Sequence, residues 1–199
     1  MTDIGPEHHV LWHCASLTSS EHASLVEHAS GHRFHGVVVL PLDGVPCHID
    51  YDVVVDREWR SRLATATVTT PAGVRRIGLT SDLDGHWRLD GVPASQLDGC
   101  SDIDLGWTPA TNTLPIRRLG LAVGETATIA AAWVRFPELD VLAVEQHYTR
   151  LAEDRWRYRS GEFERELVTD APTGLVLAYG DDLWQAVATS FEGHSAGTR

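Results

Sequence analysis

The sequence is poor in the marks of a catalyst. It contains no nucleophile elbow, Walker loop, dinucleotide fingerprint or HExxH helix, which removes most common enzyme classes. Cysteine is scarce. Cys14, Cys47 and Cys100 are odd in number and share no motif spacing, so they read as reduced thiols. Basic residues are outnumbered, 16 Lys and Arg against 28 Asp and Glu, for a formal net charge of −12. That balance argues against a nucleic-acid partner and against adsorption to an anionic membrane. It leaves a neutral lipid or a sugar open as ligand. The longest apolar runs, near Val37–Leu42 and Ala127–Val134, are far too short for a membrane-spanning helix. The opening MTDIGPEHH has neither the basic nor the apolar region of a secretory signal, so a soluble, cytoplasmic protein is expected. Histidines crowd the first 35 residues, but His22 and His28 sit in a small EHAS repeat without ligand-like clustering. No metal or cofactor is expected.

What is present is β-sheet patterning. With 199 residues, 43% of them hydrophobic, the chain can build one well-buried domain. Seven Trp supply aromatic anchors for a core or a cavity. Turn signals at Pro41–Gly44, Thr70–Gly73, Asp82–Gly85 and Asp90-Gly91 separate β-rich runs of hairpin length. The segment from Arg155 to Arg159 alternates Arg with Trp156 and Tyr158 in strict period two. About a dozen strands and no sustained 3.6-residue stripe imply an all-β domain, a single strongly curved antiparallel sheet forming a β-roll or partly open barrel. The expected layout is a flexible tail over 1–9, one domain over 10–189 and a second tail over 190–199. A short helix is expected within Asp181–Thr189.

The most irregular stretch, Leu97 to Arg118, reads as a binding or catalytic loop. Asp102 and Asp104 are two apart, which on a strand places both carboxylates on one face. Pro109 and Pro115 oppose regular ladder pairing, Asn112 can brace the turn, and Arg117 and Arg118 close it. Asp98, Asp102 and Asp104 could hold a cation, act as a hydrolase pair, or simply meet nearby arginines. Elsewhere, Arg60 and Arg62 share a strand face, and Gln146, Tyr148 and Arg150 share another with Leu142 and Val144. Faces passing from apolar to polar suit a cavity wall that buries a chain and hydrogen-bonds a head group.

Four segments carry a family resemblance: DYDVVVDREWRSR, LDGCSDIDLGWTPATNTLPIRRL, AAWVRFPELDVLAVEQHYTRL and YRSGEFERELVTDAPTGLVLAY. Together they resemble the putative glycolipid-binding family of bacterial proteins, collinearly over most of Tyr51 to Tyr179. The first fifty residues are similar only at Trp12, Glu27 and around Gly36. The resemblance implies a spiral β-roll, shaped like lipoproteins that carry acylated glycolipids in an apolar hollow. It supplies no catalytic residues. Such carriers are exported and lipid-anchored, so the missing signal points instead to a cytoplasmic binder of a lipid or lipid precursor.

Three functions follow as expectations. The first is a non-enzymatic binder of a glycolipid or other long-chain amphiphile, its polar part met by Arg60, Arg62, Asp98, Asp102, Asp104, Asn112, Arg117, Gln146, Tyr148 and Arg150. The second is a carbohydrate-active hydrolase using Asp102 and Asp104. The third is a filled-core β-domain for protein interaction, with the Leu97–Arg118 segment packed shut.

Overall fold

Turn chemistry builds the sheet hairpin by hairpin. In the computed structural model, which describes residues 4–14, 16–82 and 84–191, the first half of the chain runs as an antiparallel meander. Its strands are β1 (Ile4–Cys14), β2 (Ser19–His28), β3 (Gly31–Leu42), β4 (Val45–Asp56), β5 (Ser61–Thr70), β6 (Gly73–Ser81), β7 (Trp87–Leu89) and β8 (Val92–Pro93). Asp43-Gly44 joins β3 to β4, and Asp90-Gly91 joins β7 to β8. All four of these turn residues have positive φ, which the primed two-residue hairpin turn requires.

The second half resumes with β9 (Asp102–Leu105) and then α1 (Thr113–Leu119). It continues through β10 (Thr126–Val134), β11 (Val141–Arg150), β12 (Arg155–Ser160), β13 (Phe163–Thr169), β14 (Val176–Tyr179) and β15 (Trp184–Phe191). All fifteen strands belong to one sheet, ordered β8 back to β1, then β15 back to β9. Neighbours in space are neighbours in sequence except at the β1–β15 junction, which sews the first strand to the last. The sheet is curled and open, with β8 and β9 as its edges.

Curling brings the β9 edge back over β5. Ser61 Oγ accepts the Ile103 amide at 3.0 Å, and the Trp87 indole donates to the Cys100 carbonyl at 3.1 Å. The inner faces of both halves then share one core, with Trp12, Ile49, Val53, Leu79, Leu97 and Leu167 among its most buried members.

Five expectations are corrected. The sheet is mixed, because β9 pairs with β10 in parallel. A parallel pair needs a crossover connection, and residues 106–125 supply it. The Thr- and Pro-rich stretch is that crossover: a 3₁₀ turn at Ala110–Asn112 runs into α1, with Pro115 tolerated in the first helical turn. Residues 4–9, expected in a loose tail, form the first half of β1, held between β2 and β15. Asp181–Thr189 holds no helix; Trp184 onward is β15, and Ser190 and Phe191 of the expected C-terminal tail belong to it, while 192–199 lie outside the described residues. Arg60, expected to share a strand face with Arg62, lies in the β4–β5 turn just before β5 begins at Ser61.

Candidate functional site

The crossover is packed into the hollow of the curl. Thr108 to Ile116 are buried throughout, and Ala110, Thr113 and Leu114 are fully enclosed. The segment read as a binding or catalytic loop is therefore a plug, and its charged flanks are fasteners. Asp102, 1% exposed, takes Arg118 at 2.6 Å and the Ser101 hydroxyl at 2.7 Å. Asp98 accepts the Trp87 amide at 3.2 Å and meets His86 at 3.3 Å. Arg117 lies 5.1 Å over the Trp59 ring and donates to the Pro172 carbonyl.

The other arginines singled out in the sequence have similar duties. Arg62 pairs with Asp56 at 2.6 Å, and the same carboxylate caps the turn by accepting the Arg60 amide. The Arg60 side chain is exposed on that turn. Arg150 donates to the Leu121 carbonyl at 2.8 Å and stacks 5.4 Å over Trp156. None of these residues, nor Asp98 or Asp102, borders the cleft described next.

Beside the plug the hollow is not filled. A half-open cleft of about 730 Å³ remains between the crossover and strands β9 to β15. Aromatic rings dominate its wall: Trp133, Tyr158, Phe163, Tyr179 and Trp184. Leu17, Leu105, Val144 and Leu183 extend the apolar surface, and Arg159 and His147 bring basic groups to the wall. Strand alternation explains the rings, since Trp156 and Tyr158 face inward while Arg155 and Arg157 face solvent. Tyr158 stands 5.2 Å from Tyr148 and 6.1 Å from both Phe163 and Tyr179, so the aromatic wall is continuous.

Four of the sequence candidates meet here in one directed chain of hydrogen bonds. Asn112 Nδ2 donates to the Tyr148 hydroxyl at 2.9 Å, and that hydroxyl donates to Gln146 Oε1 at 3.4 Å. Gln146 Nε2 in turn donates to Asp104 Oδ2 at 2.6 Å. The end members, Asn112 and Asp104, border the cleft, whereas Gln146 and Tyr148 are buried at 2% and 1% exposure and fix their orientation. Burial pushes the Asp104 carboxyl up to about 6, against the opposing pull of hydrogen bonds from Gln146, Tyr158 and Thr111. A carboxylate so placed accepts hydroxyl hydrogens, and aromatic faces pack on apolar sugar faces and acyl chains.

A second buried acid lies behind the cleft floor. Glu21 on β2 is fully enclosed, and its Oε1 accepts both the Tyr51 hydroxyl and the Thr108 hydroxyl, the latter at 2.6 Å. Thr108 also borders the cleft and caps Ala110 through its amide. Burial drives the Glu21 carboxyl up to about 8, so it is mainly protonated at neutral pH. No reading of the sequence singled out Glu21, because its neighbours on the chain are ordinary strand residues and its partners are 30 and 87 positions away. Tyr158 had a signal in the Arg–Trp–Arg–Tyr–Arg alternation, which sets it on one strand face with Trp156; Phe163, Tyr179 and Trp184 had none beyond residue type.

The sequence profile of the family described as "Putative glycolipid-binding" matches residues 9–186. The chain belongs to this family. No curated protein matches it. The crystal structure of a DUF1089 family protein from Pseudomonas aeruginosa is similar at 35% sequence identity, with a TM-score of 0.74. The similarity covers 82% of this chain and 90% of that one. The family match spans both halves of the sheet and the crossover between them, so the plug and the cleft beside it lie within the shared region. Within that frame, a hydrolase built on Asp102 and Asp104 lacks its geometry. Asp102 is sealed beneath Arg118, and of the pair only Asp104 reaches the cleft.

Proposed function

We propose that the protein binds a single amphiphile, a glycolipid or similar long-chain glycoside, in the cleft beside the crossover. The observation that carries this reading is the union of an aromatic, half-open hollow of about 730 Å³ with one oriented polar relay at its base. That volume lies within the range of small-molecule sites, about 300–1,000 Å³. The acyl part would lie against Leu17, Val144, Leu183 and the rings, and the sugar hydroxyls would meet Asp104 and Asn112. Membership of the family supports a binding role; the ligand is inferred from the chemistry of the wall. A filled-core interaction domain is the competing reading, favoured by the buried plug but not by the open hollow next to it.

Trp133 and Trp184 border the cleft and give a direct readout. Titrating octyl glucoside below its micelle concentration should change tryptophan emission saturably. Replacing Tyr158 by Ala should weaken binding by roughly tenfold, the loss expected of one buried aromatic contact. A flat titration with a folded protein would favour the filled-core reading.

A further inference from the structure

Strand alternation sends every second connection to the same end of the curled sheet. The β1–β2, β3–β4 and β5–β6 turns gather there with the β10–β11, β12–β13 and β14–β15 turns. Arg75, at the start of β6, donates to the Pro137 carbonyl at 2.7 Å and so ties two of these turns together. This is also where the cleft opens, since Leu17, Gly161 and Leu183 from three of these turns border it.

Exposed apolar residues are not spread evenly. Among the described residues, six of the ten large exposed hydrophobics sit at this end: Leu17, Val39, Val45, Val74, Leu142 and Phe163. A second shallow depression of about 720 Å³ lies beside the cleft, bordered by Thr18, Pro41, Pro46, Thr69 and Pro71. Leu17 and Thr18 are consecutive, so one turn forms the wall shared by the cleft and the depression. Apolar residues gathered at the end where a pocket opens mark an interaction site more readily than exposed valines scattered over a surface.

We propose that this end is a lip that seats on an uncharged or zwitterionic lipid surface, so that an amphiphile enters the cleft directly from the bilayer. The proposal rests on the amphiphile-binding reading of the cleft. Charge selects the surface: a protein of net charge −12 is repelled by anionic lipid, while apolar side chains gain from shallow burial in a neutral interface. Leu17, both exposed at this end and part of the cleft wall, selects lipid over a protein partner, because an acyl chain leaving the bilayer here would meet Leu17 and then the rings.

The test uses the full chain and vesicles of pure phosphatidylcholine. Wild-type protein should float with the vesicles in a density gradient, and adding anionic lipid should reduce the floated fraction. The triple variant Val39→Asp, Val45→Asp, Val74→Asp changes exposed residues outside the cleft and should cut partitioning by roughly tenfold or more. Its monomeric octyl glucoside binding should match wild type. Flotation equal to wild type, or no flotation of a wild type that binds octyl glucoside, would overturn the lip. A variant that lost a wild-type dimer in sedimentation, without altered flotation, would also overturn it and assign the lip to a second copy of the chain. Failure of octyl glucoside binding with flotation intact would count against the cleft reading alone.

Discussion

Tyr51 lies across Gly36, its cross-strand partner on β3, so closely that a Cβ at Gly36 would stand only 2.3 Å from Tyr51 Cζ. The glycine is there for this approach, because its backbone φ is not among the positive ones. With the ring laid flat, the Tyr51 hydroxyl reaches Glu21 and stands 3.3 Å from Thr108 of the crossover. One missing methyl group thus fixes the contact between the first hairpins and the plug. Gly36→Ala should displace the ring and cost about 1–3 kcal/mol, the usual penalty of overpacking a full core. Gly78→Ala is the control, since its Cβ would meet only Asp90 Oδ1 at 3.6 Å. Urea denaturation of both variants, with the midpoint lowered only by the first, checks this.

Glu21 makes stability depend on pH in an unusual direction. Its carboxyl is raised to about 8 in the folded protein, whereas in the unfolded chain it titrates near 4.5. Between those values the folded state holds a proton that the unfolded state has released. Stability is therefore fullest below the unfolded value and falls as pH rises toward 8, then levels. Glu21→Gln keeps an acceptor for Tyr51 and Thr108 without a titrating proton. Thermal melts should show the variant gaining on wild type from pH 5 to pH 9, by several degrees at the upper end. Parallel curves would contradict the burial of an ionisable group there.

Asp104 should give binding its own pH profile. With the carboxyl near 6, the ionised form that accepts sugar hydroxyls is present above that value and lost below it. Affinity for an alkyl glucoside should rise through pH 6, and Asp104→Asn should flatten the profile and lose roughly tenfold at pH 8, the worth of a charge-assisted hydrogen bond. Calorimetric titration at pH 5 and pH 8 measures both effects.

Asp102 and Arg118 predict the opposite pattern, a stability loss without a binding change. Their side chains are 1% and 19% exposed, so removing one partner leaves the other charge buried. Arg118→Met should cost about 3–5 kcal/mol, while octyl glucoside affinity of the folded fraction should be retained. A selective loss of affinity would place this pair in the binding site.

Much of the fold was legible because it is local. Asp43-Gly44 and Asp90-Gly91 announce their own hairpins, and the alternation through Trp156 and Tyr158 puts both rings on one face of their strand. What could not be read depends on distant partners. Residues 4–9 are ordered by pairing with the last strand, and Trp184 to Phe191 form that strand because β1 lies beside it. Pairing across nearly the whole chain outweighs the local pattern that suggested a helix. The crossover was misjudged for a related reason. Pro109 and Pro115 correctly excluded a strand, but only the parallel pairing of β9 with β10 makes the segment a buried plug. Within the site, Gln146 and Tyr148 were recognisable as polar residues on a face shared with Leu142 and Val144, and Asp104 and Asn112 as members of the irregular stretch from Leu97 to Arg118. Asp102, Arg117 and Arg118 carry the same residue types, and only their partners reveal them as fasteners.

The most direct test is native mass spectrometry of the purified protein after incubation with a bacterial lipid extract, followed by organic extraction of whatever is retained. A single bound amphiphile per chain, bearing a sugar and lost in Asp104→Asn, Tyr158→Ala protein, is the outcome expected of the cleft. A protein that stays at its unliganded mass, with its fold intact, would contradict the binding function outright.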